Sequence, residues 1–453
     1  MFENKKVLIL GFARSGYEAA KVLIGRNNKV ILNDGKSIEK FDEKQVKELQ
    51  ELGVELILGE HPDNLFDDSF DYLIKNPGVP IDHKYVLRAR ELGKEVINEV
   101  ELAYHLLPEG VNIVAITGTN GKTTTTTLTY NLLHDALGDR VHLAGNIGYP
   151  LCSILNKLKK DDIVVMEFSC QQGENIKDFK PHIGLFTNLD TTHIDFMKTY
   201  EHYKEVKYRM FFNQLDSDIA ILNMKSDEVL NDLRNIKSQI KYFSSNQEIS
   251  GCYIKDNKIY YYGEEVLSLD DILVSGKHNL ENIMGAIMIA KEFHVSNEDI
   301  KNTISKFRGV EHRLEFVDTI RGIRFYNDTK ATNIKSTQIA LSSFKEPTIV
   351  ILGGMERGQD FNDLKDYISN VFSIVAIGEC RKRVVDFGKR YQIDTYEYET
   401  LKEGFKKCIE LAEENNVPIV LLSPASASWD QYDKFEDRGI EFKNLVGEYK
   451  NEN

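Results

Sequence analysis

Three times along this chain a short apolar run ends in glycine and leads toward a segment of helical pattern. That recurrence limits the fold more than any other feature. Val7-Leu8-Ile9-Leu10 runs into Gly11-Phe12-Ala13-Arg14-Ser15-Gly16, and Ile113-Val114-Ala115-Ile116 runs into Gly118-Thr119-Asn120-Gly121-Lys122-Thr123-Thr124. Thr348-Ile349-Val350-Ile351-Leu352 runs into Gly353-Gly354. Short apolar runs alternating with longer amphipathic segments are the pattern of parallel strands covered by helices on both faces. The chain has 453 residues, more than one hydrophobic core organises. At ~150 residues per domain, about three domains are expected. Composition and pattern shifts at Pro108-Glu109-Gly110 and near Gly309-Val310-Glu311 set them at 1–108, 109–310 and 311–453. The expected class is therefore α/β with three domains. Within the middle one, Cys252 to Tyr261 reads as a hairpin around Asp256-Asn257.

Composition excludes more than it selects. Apolar and charged residues make up 42% and 28%, the proportions of an ordinary globular protein. No apolar run approaches the ~20 residues a spanning helix needs, so no membrane partner is expected. The first residues, Met1-Phe2-Glu3-Asn4-Lys5-Lys6, lack a signal-peptide layout, and a cytoplasmic location is expected. Cys152, Cys170, Cys252, Cys380 and Cys408 lie far apart, which argues against a disulfide framework or a structural zinc site. A net charge of −14 disfavours a nucleic-acid partner, while local Lys and Arg can still grip a phosphate-bearing substrate.

The second glycine turn carries the chemistry. A strand ending in a Gly-rich loop that opens a helix aims backbone N–H groups, and the helix's partial positive charge, at one point. Gly118 and Gly121 let the backbone wrap a phosphate, Lys122 can reach its outer oxygens, and the Thr123 hydroxyl can hold Mg²⁺. Ile116 stands where the longer G-x-x-x-x-G-K-T pattern has its first Gly, so the loop is the short form G-x-x-G-K-T-T. Asp162-Ile163-Val164-Val165-Met166 then ends in Glu167, an acid where a nucleotide-binding sheet places a metal-holding carboxylate. Ile183 to Asn188 delivers Asp190 and His193 toward the same edge, and a helical stretch with Lys207 and Arg209 follows.

These residues resemble the Mur ligase family, the ATP-dependent amide-forming enzymes of peptidoglycan precursor synthesis. The short loop from Thr117 to Thr124 is the family's form of the motif. Glu167 before a Ser, Asn188-Leu189 with His193, Lys207, His278-Asn279 with Asn282, and His312-Arg313-Leu314-Glu315 follow in the family's order. The resemblance covers essentially the whole chain. Both ends are similar to the branch that adds D-glutamate. The N-terminal end has the Gly11–Gly16 turn with Asp34. The C-terminal end has Asn327 to Asn333, Gly353 to Gly358, and Leu422 to Asp430.

The resemblance implies a Rossmann-like UDP-binding first domain, a central P-loop ATP-binding domain with a parallel sheet, and a C-terminal Rossmann-like α/β domain. It implies joining of D-glutamate to UDP-N-acetylmuramoyl-L-alanine through an acyl phosphate, with ATP and two Mg²⁺ ions, in a monomer. Lys122, Glu167, His193 and Lys207 would be catalytic. Thr123, Glu167, His193 and a carbamylated Lys207 would ligate metal. Asn282, Arg313 and Asp328 match positions around adenine and ribose, beside the loop Gly118, Thr119, Asn120, Gly121, Lys122, Thr123 and Thr124. Arg14, Ser15, Asp34, Lys36, Gly78 and Asn146 match the UDP-substrate positions. Thr332, Arg357, Ser428 and Phe435 match the D-glutamate pocket, with Arg357 where many relatives have Lys. An NAD-dependent dehydrogenase reading of Gly11-x-Ala13-x-x-Gly16 with Asp34 lacks the middle Gly and leaves the second loop unexplained. A folylpolyglutamate-type ligase, or a related ligase adding another amino acid, would share the middle loop and lack a UDP-type first domain. A nucleotide switch without ligation would hydrolyse ATP whether or not D-glutamate is present.

Overall fold

A computed structural model of the chain describes residues 2–189, 197–224, 236–274 and 276–452. The apolar runs become the strands of three sheets. The first holds β1 (Lys6–Leu10), β2 (Lys29–Asp34), β3 (Glu55–Leu58), β4 (Tyr72–Lys75) and β5 (Glu95–Ile97), in the order β3-β2-β1-β4-β5. All four pairings in it are parallel. Both faces of β1 are buried: Val7 and Ile9 enter one core, Leu8 and Leu10 another. Alternate side chains of a strand point to opposite faces, so such a run needs helices on both sides.

The second sheet holds β6 (Asn112–Thr117), β7 (Val141–Gly145), β8 (Ile163–Glu167), β9 (Ile183–Phe186), β10 (Ile219–Asn223), β11 (Gln239–Ser244), β12 (Gly251–Lys255), β13 (Lys258–Tyr261) and β14 (Glu264–Ser268). Its order is β14-β13-β12-β11-β10-β9-β6-β8-β7. The strands from β7 to β12 pair in parallel, and β12 and β13 form the antiparallel hairpin expected around Asp256 and Asn257. Both turn residues take positive φ, 46° and 59°, which Asp and Asn tolerate better than most residues.

The third sheet holds β15 (Glu315–Ile320), β16 (Ile323–Asn327), β17 (Thr348–Gly353), β18 (Val371–Ile377), β19 (Asp394–Glu397) and β20 (Ile419–Leu422), in the order β15-β16-β20-β17-β18-β19. Only the β15–β16 pairing is antiparallel. The sequence pattern predicts a helix after Gly353-Gly354, and here the structure differs. Both glycines have positive φ, 119° and 144°, and Met355 N donates to Ala427 O instead of opening a helix. An irregular loop follows and ends in the 3-10 turn Phe361–Tyr367.

By packing, the chain divides into two compact units, Met1–Leu267 with Glu281–Lys301, and Ser268–Leu280 with Asn302–Asn453. One core runs through the first two sheets, from Val7 and Leu32 through Leu102 to Ala115, Met166 and Leu222. Two buried acids on the helix Glu99–Tyr104 strengthen that junction. Glu101 accepts from the backbone N–H of Lys177, Asp178 and Phe179, and Glu99 accepts from Cys152 N. The second unit has two cores of its own, on opposite faces of the third sheet. All five cysteines are buried and free, as their spacing predicts. Among the described residues no helix is long and apolar enough to cross a membrane.

Candidate active site

The strand order puts β8, β6 and β9 side by side, so three carboxyl ends meet at one edge of the second sheet. After β6 the chain turns through Gly118 (φ 143°) and Gly121 (φ 81°) into the helix Lys122–Leu137. Both glycines are required by space as well as by φ. A Cβ on Gly118 would lie 1.9 Å from Thr187 Oγ1, and one on Gly121 would lie 2.1 Å from Asn282 Oδ1. The segment after β9 braces the loop: Thr119 N donates to Asn188 O, Asn120 N donates to Asn188 Oδ1, and Thr187 Oγ1 donates to Asn120 O.

Over this loop the expected side chains converge. Lys122 Nζ donates to Gly118 O at 3.0 Å and Thr119 O at 2.9 Å. Thr123 Oγ1 donates to Glu167 Oε2 at 2.8 Å, and Asn146 Nδ2 donates to Glu167 Oε1 at 2.7 Å. Glu167 itself is 2% exposed. Lys207, on the helix Tyr200–Phe212, is buried and donates to Gly118 O at 2.5 Å. Burial first, and then the neighbouring Lys122 charge, push its amine down to about 7. Asn282 closes over the loop, accepting from Thr125 Oγ1 at 3.2 Å. His193 and Asp190 lie outside the described residues.

Sequence reasoning passed over Tyr203. Its hydroxyl pairs with Thr119 Oγ1 at 2.9 Å, and its ring lies 4.7 Å from Lys207 Nζ. The signal was present: residues 203 and 207 are four apart on one helix, so their side chains share a face.

Arg14, Ser15, Asp34, Lys36 and Gly78, assigned to UDP, lie at the carboxyl edge of the first sheet, and Asn146 follows β7 of the second. Asp34 ends β2 and accepts from Phe12 N at 2.9 Å and Lys36 N at 2.9 Å, tying the first glycine turn to the next loop. Ser15 lies in the first turn of the helix Arg14–Ile24, and exposed Gly78 follows β4. Arg14 Nη1 donates to Gly148 O, which brings it to the loop that carries Asn146.

In the second unit, β16, β20 and β17 are adjacent, so Asp328, Ser423 and Gly353 also share one edge. Asp328 accepts from Leu314 N and Ser423 Oγ, and burial raises its carboxyl to about 7. Arg313, next in sequence to Leu314, is exposed. Thr332 N donates to Lys330 O just ahead of the helix Ile334–Ser342. Phe435 opens the helix Phe435–Asn451, with the Lys330 ammonium 5.8 Å from its ring. Ser428 Oγ and Arg438 Nη1 are buried and have no hydrogen-bond partner among the described residues. Ser428 lies on the loop after β20 and Arg438 on the helix Phe435–Asn451; buried polar atoms are normally paired, so each leaves a hydrogen bond for a polar ligand to supply. Arg357 is exposed, with its guanidinium 5.5 Å from the Trp429 ring.

A short glycine loop between a buried strand and a helix, with an acid on the neighbouring strand facing its threonine, defines a P-loop nucleotide-binding domain. Residues 116–290 match the Mur ligase middle domain, and residues 312–425 match the Mur ligase glutamate ligase domain. The chain is 42% identical over 449 residues to the UDP-N-acetylmuramoylalanine--D-glutamate ligase of Enterococcus hirae, covering 98% of this chain and 96% of that one. It is 40% identical over 452 residues to the protein of the same name from Geobacillus kaustophilus (strain HTA426), covering 99% of each. The chain belongs to the Mur ligase family. Solved structures share the fold at low identity. A MurF ligase from Thermotoga maritima in complex with ADP gives a TM-score of 0.56 at 16% identity, covering 93% of this chain and 96% of that one. A UDP-N-acetylmuramoyl-L-alanyl-D-glutamate--2,6-diaminopimelate ligase gives 0.57 at 16%, covering 99% and 93%.

Proposed function

We propose that this chain is an ATP-dependent ligase that joins D-glutamate to UDP-N-acetylmuramoyl-L-alanine, releasing ADP and phosphate, in peptidoglycan precursor synthesis. The observation that carries the reading is the 42% identity to the Enterococcus hirae D-glutamate ligase across 98% of the chain. The site residues support each step chemically. In the first, the alanine carboxylate attacks the γ-phosphate of ATP, giving an acyl phosphate and ADP. Two anions must be brought together, so the step needs positive charge and in-line positioning. Lys122, now on its own loop carbonyls, is placed to exchange them for phosphate oxygens. In the second step the amine of D-glutamate attacks the acyl carbonyl, and phosphate leaves.

Thr123 Oγ1 and Glu167 Oε2 form the paired oxygen donors that a hard cation takes. We assign Mg²⁺ to them; it supplies charge neutralisation between carboxylate and phosphate. Lys207, if carbamylated, and His193 are assigned to a second ion. An amine lowered to about 7 is neutral in a substantial share of molecules near neutral pH, and the neutral form is the one that adds CO₂. Asn282, Arg313 and Asp328 are assigned to adenine and ribose. Arg14, Ser15, Asp34, Lys36, Gly78 and Asn146 are assigned to the UDP-sugar. Thr332, Arg357, Ser428 and Phe435 are assigned to D-glutamate. The domains are taken as 1–108, 109–310 and 311–453, acting as a monomer in the cytoplasm. Phosphate release measured with ATP, Mg²⁺, UDP-N-acetylmuramoyl-L-alanine and a panel of amino acids tests the reading. Release is expected with D-glutamate and at background with L-glutamate or L-alanine; release that ignores the amino acid overturns it.

A further inference from the structure

Arg357 carries a full charge on an exposed loop, and among the described residues no carboxylate pairs with it. Its neighbour is Trp429, the chain's single tryptophan, which is 63% exposed. The guanidinium carbon lies 5.5 Å from the indole ring, within cation–π range. An indole left this exposed gains little from burial, so its contribution is to the cation above it.

The two loops are fastened together by backbone bonds. Gly353 N donates to Pro424 O at 2.8 Å, and Met355 N donates to Ala427 O at 2.9 Å. Gln359 Nε2 donates to Ser426 Oγ at 2.5 Å, and Arg357 N is held by Gln359 Oε1 at 3.0 Å. On the other side, Asp430 Oδ2 accepts from Glu379 N at 3.1 Å, and Ser428 O accepts from Gln431 N and Tyr432 N. Trp429 therefore stands on a fixed turn, between an anchored aspartate and the unpaired buried hydroxyl of Ser428. A guanidinium held over an indole keeps the N–H donors turned away from the ring free, and its planar fork matches the two oxygens of a carboxylate.

We propose that Trp429 is the positioning residue of the amino-acid pocket, holding the Arg357 guanidinium over its ring so that the N–H donors turned away from the indole receive a carboxylate of the incoming dicarboxylic amino acid. The inference rests on the assignment of Arg357 and Ser428 to that amino acid. It also accounts for an arginine at this position, because a lysine has no planar group to stack.

Steady-state kinetics of Trp429→Ala, Trp429→Phe, Arg357→Ala and Arg357→Lys, alone and combined, separate the two claims. A cation–π contact at an exposed site corresponds to roughly two- to fivefold in binding. Trp429→Ala is therefore expected to raise the KM for D-glutamate by about that factor, with kcat and the KM values for ATP and the UDP substrate unmoved. Trp429→Phe is expected to recover most of the loss. In the Arg357→Ala background, which removes the cation, Trp429→Ala is expected to add nothing further. Because the indole is the sole tryptophan, Arg357→Ala is also expected to shift its fluorescence emission in the ligand-free protein. A wild-type KM for D-glutamate in Trp429→Ala, or an unmoved emission in Arg357→Ala, overturns the stacking role. An unchanged KM for D-glutamate in Arg357→Ala overturns instead the pocket assignment beneath it.

Discussion

Lys207 shows how much one residue's surroundings decide. Burial, and then the neighbouring Lys122 charge, lower its amine to about 7, so it gives up its proton far more readily than an ordinary lysine. Cys170 and Glu167 pull the other way without outweighing burial and the Lys122 charge. Lys122 is already assigned to the phosphate oxygens, which leaves Lys207 for a different task, the carbamylated ligand proposed above. Lys207→Ala is expected to lower turnover by at least ~100-fold, the scale of losing a group that positions charge in the transition state. Adding a small carboxylic acid such as acetate or formate is expected to restore part of it, with phosphate release as the readout. A silent substitution, or a loss that no small acid relieves, counts against the carbamate.

At the scale of elements, the helix Glu99–Tyr104 supplies the clearest pH signature. Glu99 faces Cys152 across the junction of the first two sheets, and burial raises its carboxyl from 4.5 to about 7, with Glu18 adding repulsion and Cys152 opposing. Between those two values the folded chain keeps a proton that the unfolded chain has released. Stability changes with pH as the protons bound unfolded minus those bound folded, a difference that is negative here. Glu99 therefore makes the protein less stable as pH rises from 4.5 through 7, and Glu99→Gln is expected to flatten that part of the profile. Urea unfolding at pH 5 and pH 7.5 reads the difference directly; parallel wild-type and variant profiles sink the assignment.

The same scale shows what the sequence could disclose. Val7 to Leu10, Ile113 to Ile116 and Thr348 to Leu352 were legible as strands, because a strand buried on both faces is apolar at every position. Glu167 was legible because it ends such a run. The path after Gly353-Gly354 was not, since Met355 N bonds to Ala427 O, a partner dozens of residues away that no local pattern announces. The Thr119–Tyr203 hydroxyl contact and the Arg357–Trp429 pair depend in the same way on contacts between segments. The loop residues could be named in advance, with Asn188 and Asn282 beside them, whereas the bonds by which those two hold the loop could not.

For the whole molecule, the cores define the units that should unfold. One core passes through the first two sheets, while the third sheet is covered by two cores of its own. Residues 2–108 therefore lack a private core on the side facing the second sheet, and the first unit should melt as one. The assigned UDP-substrate residues, Arg14 to Asn146, all lie in that unit, and Trp429 lies in the other. A ligand at a hundred times its Kd stabilises what it binds by about 2.7 kcal/mol. Added UDP-N-acetylmuramoyl-L-alanine is thus expected to move part of the unfolding curve followed by far-ultraviolet circular dichroism to higher urea. The transition followed by Trp429 fluorescence is expected to stay where it was. A single transition, displaced equally for both probes, would mean that the two units fold as one and that the division of cores does not govern the molecule's cooperativity. A fluorescence transition that moves alone would put the UDP-sugar in the second unit and remove the assignment of Arg14, Asp34 and Asn146.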